Sequence, residues 1–354
     1  MLMAIQQTNP ANPDLPKVIF GTSSLGNLFV ALDENIKKDI IAECVNHSSG
    51  KVVFDTAGKY GAGLALEVLG KYLRELNVDP EKVVISNKLG WYRTELKTSE
   101  PTFEKGVWVG LKHDAVQKIS YQGMMECFEQ GNQLLNGYIP QMVSVHDPDE
   151  YLAAADSPED EAKHYQDILN AYRALADLKA AGKVKSIGVG AKDWKSIYRI
   201  AQDVKLDWVM IANSLTIKTH PSDLLKFMAD LEQQGVSIIN SAVFHSGFLI
   251  GGDFYDYKLV DENLPGYKEH IKWRNEFNQI CHQYDIKPAE ACVAFALNAP
   301  GVKSVALSTT NPKRVKQNIN LAQTVIPQEF WMEMISKGLI ENFPFLKLNR
   351  YVKN

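Results

Sequence analysis

Eight short apolar runs, each ending in small or polar residues and followed by a stretch of helical period, punctuate this chain of 354 residues. They lie at 18–23, 52–55, 83–88, 142–147, 186–191, 208–213, 236–242 and 302–307. Between them apolar residues recur every three to four positions. Ile36, Ile40, Ile41, Cys44 and Val45, for example, share one helical face between the first two runs. Regular strand–helix alternation builds a parallel sheet whose apolar strands are covered on both faces. Eight such repeats favour closure over an open doubly wound sheet. The expected fold is therefore a single-domain α/β (β/α)8 TIM barrel over 17–354, preceded by a polar, proline-interrupted extension at 1–16. Two connections are long, 90–114 after the third strand and 242–265 after the seventh. Helices are expected from about 116 to 135, and from beyond an acidic loop at 147–161 to a C-terminal glycine, Gly182. Asp193 is placed to cap the next helix.

In such a barrel all strand C-termini open on one mouth. The sequence delivers Asp55, Lys88 and His146 to the ends of the second, third and fourth strands, and Tyr60 follows Asp55 through a short glycine-containing turn. A carboxylate at the end of a buried strand is costly unless a cation or hydrogen bonds meet it. A free tyrosine titrates at about 10, too high to exchange protons well near neutrality. A lysine ammonium beside it favours the phenolate, and an aspartate holds that lysine in place. Histidine adds a neutral donor for a carbonyl oxygen. Asp55, Tyr60, Lys88 and His146 thus suit protonation of a carbonyl or deprotonation of an alcohol. None of them donates electrons, so a hydride must come from a cofactor, and a nicotinamide dinucleotide is the natural candidate.

Composition narrows the field. The 38 basic and 42 acidic residues are mixed along the chain, leaving no basic footprint for nucleic acid and no polybasic stretch for a membrane. No run approaches the ~20 apolar residues of a membrane span, and 1–17 lacks the basic and apolar regions of a secretory signal. Cys44, Cys127, Cys281 and Cys292 are widely spaced in helical segments and read as buried thiols. The histidines form no ligand pattern, so no metal is expected. A cytoplasmic protein acting on a small molecule is expected, in an oligomeric state the sequence leaves open.

Gly61-Ala62-Gly63 resembles the start of a dinucleotide fingerprint, but Leu66 stands where the third glycine belongs. Gly188 and Gly190 would let a planar ligand approach a strand end. Asp55 and Asp147 are the two carboxylates a glycosidase barrel would use, but Asp55 is better matched to Lys88. Trp91, Tyr92, Trp108 and Phe248 lie in the long connections, placed either to line a cavity or to pack beneath a loop.

The motifs Phe54-Asp55-Thr56-Ala57-x-x-Tyr60-Gly61, Ser86-Asn87-Lys88 and Val145-His146-Asp147, in that order, resemble those of the aldo-keto reductase superfamily. The resemblance runs from Phe20 to about Asn318. Stretches 20–27, 146–149 and 187–194 are similar to its aldose 1-dehydrogenase branch, which includes D-threo-aldose and L-fucose dehydrogenases, with pyridoxal dehydrogenase similar. That resemblance implies oxidation of a sugar hemiacetal to a lactone, with NADP or NAD reduced. In that direction Tyr60 is the base, Lys88 lowers its pKa, Asp55 positions Lys88, and His146 orients the reacting oxygen. Aldehyde or ketone reduction by the same tetrad, or a weakly active cofactor-binding regulatory subunit, are the alternatives.

The resemblance also implies cofactor contacts from Gly21, Thr22, Asp55, Lys192 and Asn213, and from Ser241, Phe244, Gly247 and Leu249. The adenosine end would fall to Ser308, Thr309, Thr310, Arg314, Gln317 and Asn318. Substrate would meet Tyr60, Trp91, Trp108, His146 and His245. Four positions depart from the family pattern. Ala191-Lys192 replaces a common Ser-Asn, Ser241 replaces an aromatic that often stacks on the nicotinamide, and Ser308 replaces a lysine common in NADP-preferring members. Arg314 remains for a 2′-phosphate, so NAD and NADP both stay open.

Overall fold

The computed structural model describes residues 14–256 and 258–342; most of the expected N-terminal extension and the last twelve residues lie outside them. Eight strands form a closed barrel: β1 (Val18–Gly21), β2 (Val52–Ala57), β3 (Val83–Leu89), β4 (Met142–His146), β5 (Ser186–Ala191), β6 (Trp208–Ala212), β7 (Ser237–Ser241) and β8 (Val302–Leu307). Each pairs in parallel with its sequence neighbours, and β1 closes on β8. The (β/α)8 expectation holds. Ile19, Val53, Val84, Met142, Trp208, Met210 and Ile239 fill the interior as one buried cluster. Larger clusters seal the strands against the helices outside.

Gly188 explains itself here. A Cβ at this position would stand 2.3 Å from the Trp208 indole, so the missing side chain makes room for that ring and not for a ligand. Gly61, at φ +62°, likewise lets the turn after β2 press on Gly26, whose carbonyl oxygen a Cβ would meet at 2.3 Å. Gly61 therefore serves a backbone contact, and Gly63, at φ +81°, makes room for the Leu134 and Arg93 side chains.

The connection 90–114 is more ordered than the sequence suggests. Trp91–Glu95 and His113–Gln117 form an antiparallel hairpin with Tyr92 opposite Val116, so 116 belongs to a strand. The following helix, Tyr121–Leu134, begins where Ser120 accepts a hydrogen bond from the Gly123 N–H. The acidic loop contains a short helix, Pro148–Ala153, and Pro158–Ala180 starts beneath a Ser157 cap. The loop after β7 carries a small hairpin, Phe254–Tyr255 with Lys258–Leu259. Gly182, at φ +69°, ends its helix, and the Asp193 side chain caps Trp194–Asp203, both as expected. All four cysteines are buried and unbridged. Among the described residues no helix is long and apolar enough to cross a membrane.

Candidate active site

Strand register brings the four chemical residues together. Asp55 pairs with Ser86, two positions before Lys88, and Lys88 pairs with Ser144, two positions before His146. Side chains two apart share a face of a strand, so Asp55, Lys88 and His146 all point into the barrel near its C-terminal mouth. Tyr60 arrives by the turn after β2, its N–H bonded to the Ala57 carbonyl at 3.1 Å. Thr22 steadies Asp55 from the first loop, its N–H and Oγ1 each donating to the Asp55 carbonyl at 3.0 Å.

Lys88 Nζ donates to Asp55 Oδ2, forming a buried ion pair, and to the Tyr60 hydroxyl at 3.1 Å. Burial favours the neutral amine of Lys88, but Asp55 and then Tyr60 outweigh it and hold the ammonium above its ordinary range. Burial raises the Asp55 carboxyl, while Lys88 pulls it down. Burial also pushes the Tyr60 phenol up to about 12, against the lowering influence of Lys88. The phenol is thus a proton carrier in its acid form at neutrality, with a cation in place to receive the phenolate.

The His146 ring stands edge-on to Tyr60 with centroids 5.6 Å apart. Its Nε2 lies 3.5 Å from Asp147 Oδ2, and its Nδ1 is buried without a partner. Burial drives the imidazole down to about 3, Asp147 opposing and Lys59, Lys88 and Lys192 assisting. A neutral histidine, able to donate from one nitrogen, results.

These groups face a cavity of about 760 Å³ at the barrel mouth, within the ordinary size of a small-molecule site. Of the residues named from sequence, Gly21, Asp55, Tyr60, Lys88, Trp108, His146, Lys192, Asn213, Ser241, Phe244, Gly247 and Ser308 line it. The others are placed elsewhere. Thr22 is buried behind Asp55, and Leu249 is wholly buried in the apolar core. Trp91 packs on Phe103, with the Lys59 ammonium 5.3 Å from its ring. His245 is buried: Nδ1 meets Asp256 at 2.6 Å and Nε2 meets Thr216 Oγ1 at 2.8 Å, so both ring nitrogens are engaged and the ring is not part of the cavity lining. Thr309, Thr310, Arg314, Gln317 and Asn318 lie beyond β8, outside the cavity lining and open to solvent to differing degrees. Leu28, Phe29 and Val107 form an apolar wall that the sequence reading missed. Lys59 and Glu104, also missed, form a charged one. A lysine immediately before the tyrosine was the available signal for Lys59.

The wall fits a nicotinamide group. Asn213, at φ +58°, leaves its Oδ1 buried without a partner, the acceptor that a carboxamide N–H requires. Ser241 and Gly190 keep the same wall free of bulk. Lys192 lines it too, but its ammonium is drawn to Glu150. Asp55 and Asp147 are each bound to a lysine, which leaves no free carboxylate pair for glycoside hydrolysis.

A family model described as the aldo/keto reductase family matches residues 17–338. Pyridoxal 4-dehydrogenase of Microbacterium luteolum is 28% identical over 330 residues, 90% of this chain and 93% of that protein. D-threo-aldose 1-dehydrogenase of a Pseudomonas species is 24% identical over 336 residues, 92% and 95% of the two. Among solved structures, the glycerol dehydrogenase of Gluconobacter oxydans superposes with a TM-score of 0.68 at 16% identity, over 96% of this chain and 97% of that one. The holo form of an aldo-keto reductase from Bacillus halodurans superposes with a TM-score of 0.66 at 16% identity, over 94% and 95%. With a closed parallel barrel, the ordered Asp55, Tyr60, Lys88 and His146 at its mouth, and a family match spanning nearly all the described residues, this chain belongs to the aldo/keto reductase family of oxidoreductases.

Proposed function

We propose that this chain is a nicotinamide-dependent dehydrogenase that oxidises the hemiacetal hydroxyl of a sugar, an aldose 1-dehydrogenase, with NADP or NAD as acceptor. The observation that carries the reading is the buried relay Asp55–Lys88–Tyr60 beside a neutral His146 on one cavity wall. Support for the sugar comes from the D-threo-aldose enzyme, aligned over more than nine-tenths of both chains, and from carboxylates on the wall, whose oxygens accept hydrogen bonds from hydroxyls.

A bound nicotinamide would be held by Asn213 and Ser241 and would supply the hydride chemistry that side chains lack. The chain's own part is proton handling and placement. The Lys88 ammonium, fixed by Asp55, stabilises the Tyr60 phenolate, and that phenolate takes the hydroxyl proton at Oη to become the phenol. The neutral His146 donates to the reacting oxygen and so aims it. Carbonyl reduction uses the same groups in reverse order. The regulatory-subunit alternative loses weight because Lys88, Tyr60 and Asp55 are already assembled.

The test is reduced-nicotinamide absorbance with NAD and NADP against a panel of aldoses, simple alcohols and aldehydes. Turnover of aldoses above the other classes is expected. Turnover of aldehydes alone, or none at all, would overturn the proposal.

A further inference from the structure

Lys59 is not among the four residues that do the chemistry, yet its ammonium is one of the most enclosed charges in the protein. Its relative exposure is 3%, and it meets three carboxylates from two different loops: Glu104 at 2.8 Å, Glu150 at 2.8 Å and Asp147 at 3.2 Å. A cation that far from water usually owes its place to its partners. Here one partner also adjoins the reaction centre. Lys59 holds Asp147 by Oδ2, the same atom that stands 3.5 Å from His146 Nε2. That separation is past the length of an ordinary N–H···O bond.

The geometry points to Lys59 as a positioning residue that withholds the Asp147 carboxylate from His146, keeping the imidazole neutral and its N–H available to the substrate oxygen. This rests on the role given to His146 above. Were Lys59 uncharged, Oδ2 would face two competing attractions instead of three, the Lys192 ammonium and His146. The ring nitrogen already stands within 3.5 Å of that oxygen. An imidazole bonded to a carboxylate takes up a proton more readily and spends its donor on that carboxylate.

The other charged groups around the ring do not replace Lys59. Lys88, from β3, is committed to Asp55 and Tyr60, and Lys192, following β5, is drawn to Glu150. Tyr60 stands nearly perpendicular to the His146 ring and is neutral at physiological pH. Lys59 donates at 3.2 Å to the very oxygen that stands nearest the imidazole.

Through Glu104 the same lysine is also tied to Trp108 in the cavity lining. Glu104 binds Lys59 through Oε1 and accepts the Trp108 indole N–H through Oε2 at 2.6 Å. The Trp108 ring packs on Tyr60 with centroids 5.9 Å apart. Lys59 therefore links the placement of the hydrogen-bond donor to that of the indole that faces substrate.

The test is titration of the His146 ring by NMR in the full-length protein labelled at histidine, the resonance assigned by its loss in His146→Gln. In the parent protein the ring is expected to stay neutral at every pH where the protein is folded. In Lys59→Met its titration should move up by about one unit or more, the shift expected when an opposite charge gains full influence. Adding Asp147→Asn should return the ring's titration to where the parent protein has it. Turnover in Lys59→Met should fall, with cofactor affinity unchanged. Lys59→Gln, which keeps a polar group in the pocket, makes the same ring prediction should Lys59→Met fail to fold. An unchanged His146 titration in either folded variant would overturn the inference, whatever its activity. Because the ring is read without substrate, a failed sugar panel and a failed Lys59 assignment are separate outcomes.

Discussion

The ammonium of Lys88 stands 3.1 Å from the Tyr60 hydroxyl and 4.9 Å from the centre of its ring. That placement puts the cation within hydrogen-bond reach of the oxygen, where charge changes on proton transfer. Asp55 sets it, by binding the same nitrogen from the neighbouring strand.

Tyr60→Phe should lower kcat by about 10²–10⁴-fold, the usual worth of a positioned proton carrier. Affinity for the nicotinamide cofactor, read by fluorescence titration, should stay within about twofold because Asn213 and the neighbouring wall are untouched. Retained turnover with lost cofactor binding would reverse the role given to the phenol.

Lys88→Met should cost stability as well as turnover. It strands the buried Asp55 carboxylate, and breaking a buried pair by removing one partner costs about 3–5 kcal/mol. Urea unfolding would show the loss. Adding Asp55→Asn should recover much of the stability and none of the activity.

Acid should destabilise the protein through His146. The ring is held at about 3 against an ordinary 6.5, so between those values the unfolded chain binds a proton that the native one does not. Stability then rises with pH across that window, by up to about 1.4 kcal/mol per unit. Asp147 acts lower: its carboxyl, buried yet held at about 2 by the charges of Lys59 and Lys192 and of the imidazole once that is protonated, adds stability that fades as pH drops below about 4. Unfolding midpoints measured at pH 5 and pH 7 should differ less in His146→Gln than in the parent. Equal differences would contradict the neutral native imidazole.

Alcohol oxidation should quicken with alkali. With the Tyr60 phenol at about 12 in the free site, the basic form is scarce at neutrality and grows roughly tenfold per pH unit. The oxidative rate should climb between pH 7 and 10, while carbonyl reduction should gain nothing over that range. A rate profile with its maximum below neutrality would exclude Tyr60 as the base.

Gly188→Ala should destabilise by about 1–3 kcal/mol, as overpacking of a filled core does. Its Cβ would meet the Trp208 indole at 2.3 Å. Trp208→Phe in the same chain should return part of the loss, measured by denaturant midpoint.

The tetrad was legible in the sequence because each member sits at a strand end or one turn beyond, where chain order and side-chain alternation alone fix its direction. Trp91 and Trp108 show where that logic stops. Both occupy one connection, and which indole faces the cavity depends on how the 91–117 hairpin tilts, a matter of tertiary packing. His245 was misdirected for a similar reason. It lies in the loop expected to follow the cofactor, but Thr216 and Asp256, from separate turns, capture both of its nitrogens. Lys59 was invisible as more than a turn residue because Glu104 lies 45 positions downstream and Asp147 and Glu150 about 90, and nothing in the linear pattern joins them.

Loops at the mouth of a barrel are often treated as exchangeable parts on a fixed frame. Lys59 makes that treatment unsafe here, because one side chain belongs at once to the turn after β2, to the hairpin tip at Glu104 and to the segment after β4. Transplanting any one of these loops would leave a carboxylate or an ammonium stranded in a poorly hydrated place. Altered substrate choice in this protein would have to come from segments that change together, so that the three loops form a single unit of specificity.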